Sequence, residues 1–587
     1  MATAPANGST LVGHPMRRFF RLLAVDKSDI TYIYVYAIFT GLITLSLPLG
    51  IQAIIGFISG GAISTSWVLL IGLVAMGTTL AGILKIMQLT VIETLQRRIF
   101  IRSSFDFAYR LPNLKLESLR RDYPPELVNR FFDTLTIQKG LPKILMDFST
   151  AVLQIFFGIL LISFYHPFFV FFGLAVIIIV TLLFYFTGPK GLQTSLKESK
   201  YKYEVAHWLE ELARTIYTFK LAGRSDLPLR KTDTLVSHYL DARKKHFQVL
   251  VFQYSSIVGF KVIITAGLLI LGSILVVDNQ INLGQFVAAE IVVILILESV
   301  EKLILSMDTI YDVLTGLEKI GAVTDLPIEE DKGLGFEDID NGKGIAVGLK
   351  DLTYQFQDDE RPTLDNLNLD IQPGERICIA GYNRAGKSTL VQLIAGMYDN
   401  FTGSLTYNNF PVGNLNVVSL RSHIGDHSPQ EDIFKGSLYD NIVLGHRGIQ
   451  LKDVINASES VGLGSFIRKL PDGYNTLLTP GGKNLPRSIV TKIIIARSIV
   501  SQPRLLAMEE PLLQLEQRDR ECIADVLTDP SRDWTLVAVS NDPLLARRCD
   551  RIILMRDGKI IEEGSFEKIT KSPHFDQVFK VERPAIS

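Results

Sequence analysis

The run Gly381-Tyr-Asn-Arg-Ala-Gly-Lys-Ser388 fits the G-x-x-x-x-G-K-[ST] pattern of a phosphate-binding loop. Residue type sets its chemistry. Successive backbone N–H groups can close around a phosphate, a lysine ammonium can reach two phosphoryl groups, and a hydroxyl can ligate Mg²⁺. By that pattern Gly381, Asn383, Ala385 and Gly386 form the cradle, Lys387 brings the charge, Ser388 the metal ligand, and Thr389 follows in the first turn of the helix. Such a loop works between a strand and a helix, and both are predicted here. Arg376-Ile-Cys-Ile-Ala380 reads as a buried strand, and 388–395 carries apolar residues at helical spacing. The expected ligand is a nucleotide with Mg²⁺.

The elements that must position this loop occupy only half of the chain. Its 587 residues exceed what one hydrophobic core holds, and although 47% are apolar, every run long enough to cross a bilayer falls before about residue 305. Six such runs occur, at 30–55, 67–87, 144–165, 168–186, 250–277 and 283–303. The connections 57–66, 165–167 and 278–282 carry almost no charge, whereas 97–142 holds nine Lys/Arg and 189–248 holds twelve. That asymmetry predicts that the long segments and both termini face the cytoplasm, with 1–29 as a cytoplasmic N-terminal segment. The start is small and polar, without the apolar stretch and cleavage site of a signal peptide, and Arg17, Arg18, Arg21 and Lys27 precede the first span.

Mixed charge with helical apolar spacing predicts that the spans continue into the cytoplasm over 97–110 and 192–218. Within these cytoplasmic segments, 126–133 and 222–231 are candidates for touching a soluble domain. Lys261 and Glu298 fall at similar depth and are expected to pair, while Lys85, Glu93 and Glu301 are expected at the cytoplasmic surface. Glu290 has no such partner; it either faces a polar cavity or lies in water. A net charge of -1 without a basic stripe argues against a nucleic-acid partner. Cys378, Cys522 and Cys549 lack metal-ligand spacing and read as reduced thiols.

After a polar, acidic linker at 325–344, strand-like and helix-like segments alternate through 345–587. The fold class is thus an all-α transmembrane domain of six long helices over 30–324, plus an α/β P-loop NTPase domain. Six spans followed by such a domain resemble an ATP-binding cassette (ABC) exporter half-transporter, and the resemblance covers essentially the whole chain. It implies ATP and Mg²⁺ as ligands, a lipid bilayer of the bacterial inner membrane as surroundings, and a dimer with a second half-transporter. In that family two cassettes sandwich two ATP molecules, and their closure and opening drive the spanning helices between inward-facing and outward-facing states.

Carried over residue by residue, the resemblance makes Phe356 of Tyr354-Gln-Phe356 the adenine-stacking aromatic and Glu510 of Leu505-Leu-Ala-Met-Glu-Glu510 the candidate general base. Six positions depart from the family pattern. The LSGGQ signature reads Leu485-Pro486-Arg487-Ser488-Ile489, the switch-histidine position is Asn541, and the metal-directing aspartate is Glu509. The Q-loop glutamine falls on Pro429 with Gln430 one residue late, the D-loop aspartate is Glu516, and the fourth residue of the phosphate loop, usually glycine, is Arg384. Losing one aligned donor in a phosphoryl-transfer site costs about 10²–10³ in rate, so the expected function is an ATP-binding exporter half with weak or absent hydrolysis, working with a motif-complete partner. The alternatives are a homodimeric ATP-hydrolysing exporter and a non-transporting membrane nucleotide sensor or scaffold.

Overall fold

The computed structural model describes residues 8–59, 65–119, 124–357, 359–428 and 432–579. The chain divides into two compact units, Met1–Leu114 with Arg121–Leu326, and Lys115–Arg120 with Pro327–Ser587.

The first unit is helical. Among the described residues six helices are long and apolar enough to cross a membrane: Lys27–Ile58, Thr65–Asn113, Pro124–Ser163, Phe168–Arg214, Leu227–Val277 and Leu283–Thr324. Their 32 to 51 residues exceed the roughly 20 that a bilayer needs, so they run on beyond the apolar core, as the spacing over 97–110 and 192–218 predicts. The third is not regular throughout. Pro142, inside the helix Asp133–Lys143, withholds an N–H, and a π-helical turn, Ile144–Phe148, follows it before the α-helix Ser149–Ser163. The last helix starts on a capping box in which Asn282 and Gln285 satisfy each other's backbone N–H, and it forms the unit's centre. Gly158 lets the third helix approach it closely, since a Cβ there would lie 2.8 Å from Ile296 Cγ1.

Two features of this unit differ from the sequence reading. First, Gly8–Val25 forms a helix ahead of the first span. Arg18 bonds Glu318 and, at 2.6 Å, Asp325, while the buried Asp26 holds Arg98 at 3.0 Å and Arg102 at 3.2 Å. Second, Lys261 pairs with Glu301 at 2.6 Å and not with Glu298, and Tyr254 donates to the same carboxylate at 3.1 Å. Counting residues gives depth along a helix, but the side of the helix decides the pairing, and Glu298 is on the exposed side. Glu290 is half-buried with no hydrogen-bond or ion-pair partner among the described residues. The coupling candidates 126–133 and 222–231 belong to this unit, as their place in the sequence predicts, while Lys115–Arg120 belongs to the second unit. There Lys115 Nζ lies 2.6 Å from Asp399, and Glu117 accepts from the Asp399 N–H at 3.0 Å.

The second unit is built on a six-stranded sheet in the order Lys559–Gly564, Arg551–Arg556, Arg376–Gly381, Thr535–Val539, Leu505–Glu509, Ile424–His427. The first pair is antiparallel and the rest are parallel. Central strands such as Leu505-Leu-Ala-Met508 and Thr535–Val539 are buried on both faces, which explains their unbroken apolar runs. One face packs the helix Arg487–Val500. The other packs the helix Lys387–Ile394 and an antiparallel sheet of Val347–Tyr354, Leu364–Ile371, Thr402–Tyr407 and Phe410–Pro411. Of the stretch read as a linker, 327–344 is part of this unit. Phe336 is wholly buried, Leu334 bridges to Leu415, and Arg421 holds Glu329 at 2.7 Å.

Candidate functional site

Three adjacent parallel strands end together at Gly381, Glu509 and Val539, and candidate residues gather there because ligands bind in the crevice beyond the carboxyl ends of such strands. Gly381 takes φ 152° and Gly386 φ 87°, the latter a left-handed turn that suits glycine and feeds the helix Lys387–Ile394. Lys387 curls back so that its ammonium donates to the carbonyls of Gly381 and Tyr382, each at 2.8 Å. Burial pushes its pKa down, against the opposing pull of Glu510 and Glu509. Ala385 and Thr389 are buried, and Asn383 and Arg384 are exposed on the loop. Arg384 adopts φ 63°, a conformation that costs a non-glycine residue about 1–2 kcal/mol.

A cavity of about 630 Å³ runs over this loop, and Phe356, Arg361, Arg384, Lys387, Ser388 and Asp557 are among the residues that line it. Phe356 stands edge-on to Tyr354 and Tyr398, with ring centroids 4.8 and 5.7 Å away. Two tyrosines thus fix the ring that the resemblance assigns to adenine stacking. Tyr398 carries no motif signal; only packing against Tyr354, at 5.2 Å, brings it here.

Glu510 follows the strand Leu505–Glu509 in a left-handed conformation, φ 47°, held by its N–H to the Val539 carbonyl at 2.8 Å. Its carboxylate accepts from Ser540 Oγ at 3.4 Å, and burial raises its pKa despite the Lys387 ammonium nearby. Asn541 uses its carboxamide as a clamp. Its Oδ1 accepts from the Gly381 N–H and its Nδ2 donates to the Gly381 carbonyl, both at 3.1 Å. An imidazole does not present a donor and an acceptor side by side in this way.

Ser388 Oγ donates directly to Glu509 Oε1. These oxygens suit Mg²⁺ by type, but the longer glutamate side chain reaches the hydroxyl that the metal would use, so the pair does not fit Mg²⁺ as it stands. Pro429 and Gln430 lie outside the described residues. Glu516 is exposed at the start of the helix Gln517–Leu527. In Leu485–Ile489, the stretch that the resemblance aligns with the signature, Pro486 precedes the helix Arg487–Val500, and Arg487 is exposed on its first turn. The N–H groups of Arg487 and Ser488 have no acceptor among the described residues, so backbone donors are available there.

Asp426 and His427 were not singled out by sequence reasoning. They sit in a buried strand where apolar residues are expected, and that contrast was the available signal. Both line a second cavity, of about 450 Å³, together with Glu509 and Phe356.

A family model described as "ABC transporter transmembrane region" matches residues 30–299, and one described as "ABC transporter" matches 364–513. The chain belongs to the ABC transporter family. This ABC transporter is 25% identical over 307 residues to an ATP-dependent lipid A-core flippase of Syntrophus aciditrophicus (strain SB), covering 52% of this chain and 50% of the relative. It is 28% identical over 304 residues to the alpha-hemolysin translocation ATP-binding protein HlyB of Escherichia coli O6:H1, covering 52% of this chain and 42% of the relative. The chain thus spans about half the length of the curated relatives it matches. A solved structure described as a bacterial Atm1-family ABC exporter with ATP bound superposes with a TM-score of 0.80 at 19% identity, over 93% of this chain and 96% of that one, which establishes the exporter fold.

Proposed function

We propose that this ABC transporter is an exporter half of the inner membrane that binds ATP, hydrolyses it weakly or not at all by itself, and acts with a second, motif-complete half-transporter. The observation that carries the proposal is the Asn541 clamp. The side chain at the switch position is spent on both polar groups of Gly381, where it braces the phosphate loop, and it has no proton to exchange with a phosphoryl oxygen. Binding groups survive. Lys387, the loop amides and the braced Phe356 all line or adjoin one cavity, which supports nucleotide retention without turnover. Phe356 would stack on the base, Lys387 would hold the phosphates, and Ser388 with Glu509 would be the oxygens nearest any Mg²⁺.

A homodimeric, hydrolysing exporter is the second reading, favoured by Glu510. It keeps the strand-end position of a general base, with a pKa shifted toward that role.

The test is ATP turnover by the purified chain in lipid nanodiscs, beside Glu510→Gln and a nucleotide-binding assay. Binding without turnover that depends on Glu510 is the expected result. Turnover lost by at least about 100-fold in Glu510→Gln would instead establish the homodimeric reading.

A further inference from the structure

Two guanidinium groups and one ammonium line the cavity over the phosphate loop, beside the carboxylates of Asp359, Asp365 and Asp557, of which Asp365 is held by Lys559 at 2.9 Å and Asp557 lies 3.4 Å from Arg556. Arg384 and Arg361 are both exposed there, with no hydrogen-bond or ion-pair partner among the described residues, and Lys387 lies deeper. Unpaired cations at the mouth of a phosphate-binding cavity are aimed at no protein group. Arg384 also holds a left-handed backbone conformation that glycine would adopt without cost, and strain of this kind persists where the side chain has a use. Ser388 Oγ donates to Glu509, so a hexacoordinate cation could take Ser388 as a ligand only by breaking that bond.

We infer that this site takes the nucleoside triphosphate as its metal-free anion, with Arg384 supplying to the β- and γ-phosphates the positive charge that Mg²⁺ would otherwise bring. The inference rests on the nucleotide-binding reading above. Arg384 is suited to the task, because a guanidinium stays protonated at any working pH and donates two parallel hydrogen bonds to phosphate oxygens. Arg361, across the same cavity, adds to the field. With the Ser388 hydroxyl held by Glu509, adding Mg²⁺ would require breaking that bond, so the metal gains little from entering.

The experiment is ATP affinity of the full chain in nanodiscs, measured in buffer with MgCl₂ and in buffer with EDTA. Affinities within about three-fold of each other are expected. For Arg384→Gly, affinity in EDTA should fall at least about ten-fold, the size of one charge-assisted contact, while Arg384→Lys, which keeps the charge and loses the paired donors, should fall between the wild type and Arg384→Gly. Glu509→Asp should open the gap at Ser388 and make binding respond to MgCl₂ by about ten-fold or more. The inference is overturned if EDTA abolishes wild-type binding, or if Arg384→Gly leaves metal-free affinity unchanged. Failure to bind in either buffer would remove the nucleotide-binding reading and this inference with it.

Discussion

Asn541 braces the first residue of the phosphate loop. Its carboxamide satisfies the N–H and carbonyl of Gly381 together, so Asn541→Ala should remove two bonds and destabilise the second unit by about 1–3 kcal/mol, measured by chemical or thermal unfolding. Arg384→Gly should move stability the other way. The left-handed backbone is relieved by about 1–2 kcal/mol while the unfolded chain gains about 0.5–1 kcal/mol of freedom, leaving a net stabilisation within about 1 kcal/mol. His427 sets a pH dependence. Burial pushes its imidazole down to about 4 from the usual 6.5, so on acidification the unfolded chain takes up the proton first. Its contribution is complete above 6.5 and is lost progressively as pH falls toward 4, up to about 3 kcal/mol. His427→Val should flatten the stability profile across that window, seen as a smaller change in unfolding midpoint between pH 7 and pH 4.5.

Among the elements, the helix Gly8–Val25 depends on a few polar anchors. Asp26, just beyond its end, is only 6% exposed and carries both Arg98 and Arg102. Because those arginines are themselves about half exposed, Asp26→Ala should cost about 1–3 kcal/mol, below the loss expected for a wholly buried pair. The expected signature is faster proteolysis within the first 25 residues, with the six spans intact. The helix Arg487–Val500 begins after Pro486 without a side-chain cap. At its start the N–H groups of Arg487 and Ser488 have no acceptor among the described residues, which leaves backbone donors at a helix N-terminus.

At the scale of the molecule, the sequence order of segments and their structural membership differ. Lys115–Arg120 lies between membrane helices in sequence yet belongs with the cassette, tied there by Lys115 to Asp399 and by Glu117 to the Asp399 N–H. The ion pair is half-exposed, so a double-mutant cycle on Lys115→Ala and Asp399→Ala should yield a coupling of up to about 1 kcal/mol in the stability of the second unit.

The six spans, the phosphate loop and the alternation of an α/β domain were legible in the sequence because each depends on local pattern: runs longer than a bilayer, a fixed spacing of glycines, and turns between apolar strands. The positions of Phe356, Glu509, Glu510 and Asn541 followed from family likeness. Their present tasks did not, because those depend on neighbours distant in sequence. Lys261 met Glu301 because azimuth around a helix, set by packing against other helices, outweighs depth along it. Likewise Tyr398 came to brace Phe356, and Glu509 to reach Ser388 across 121 residues of chain, only once the sheet and its loops had closed around one crevice. Local spacing specifies elements and backbone turns; which side chains occupy the same few ångströms is decided by how those elements pack.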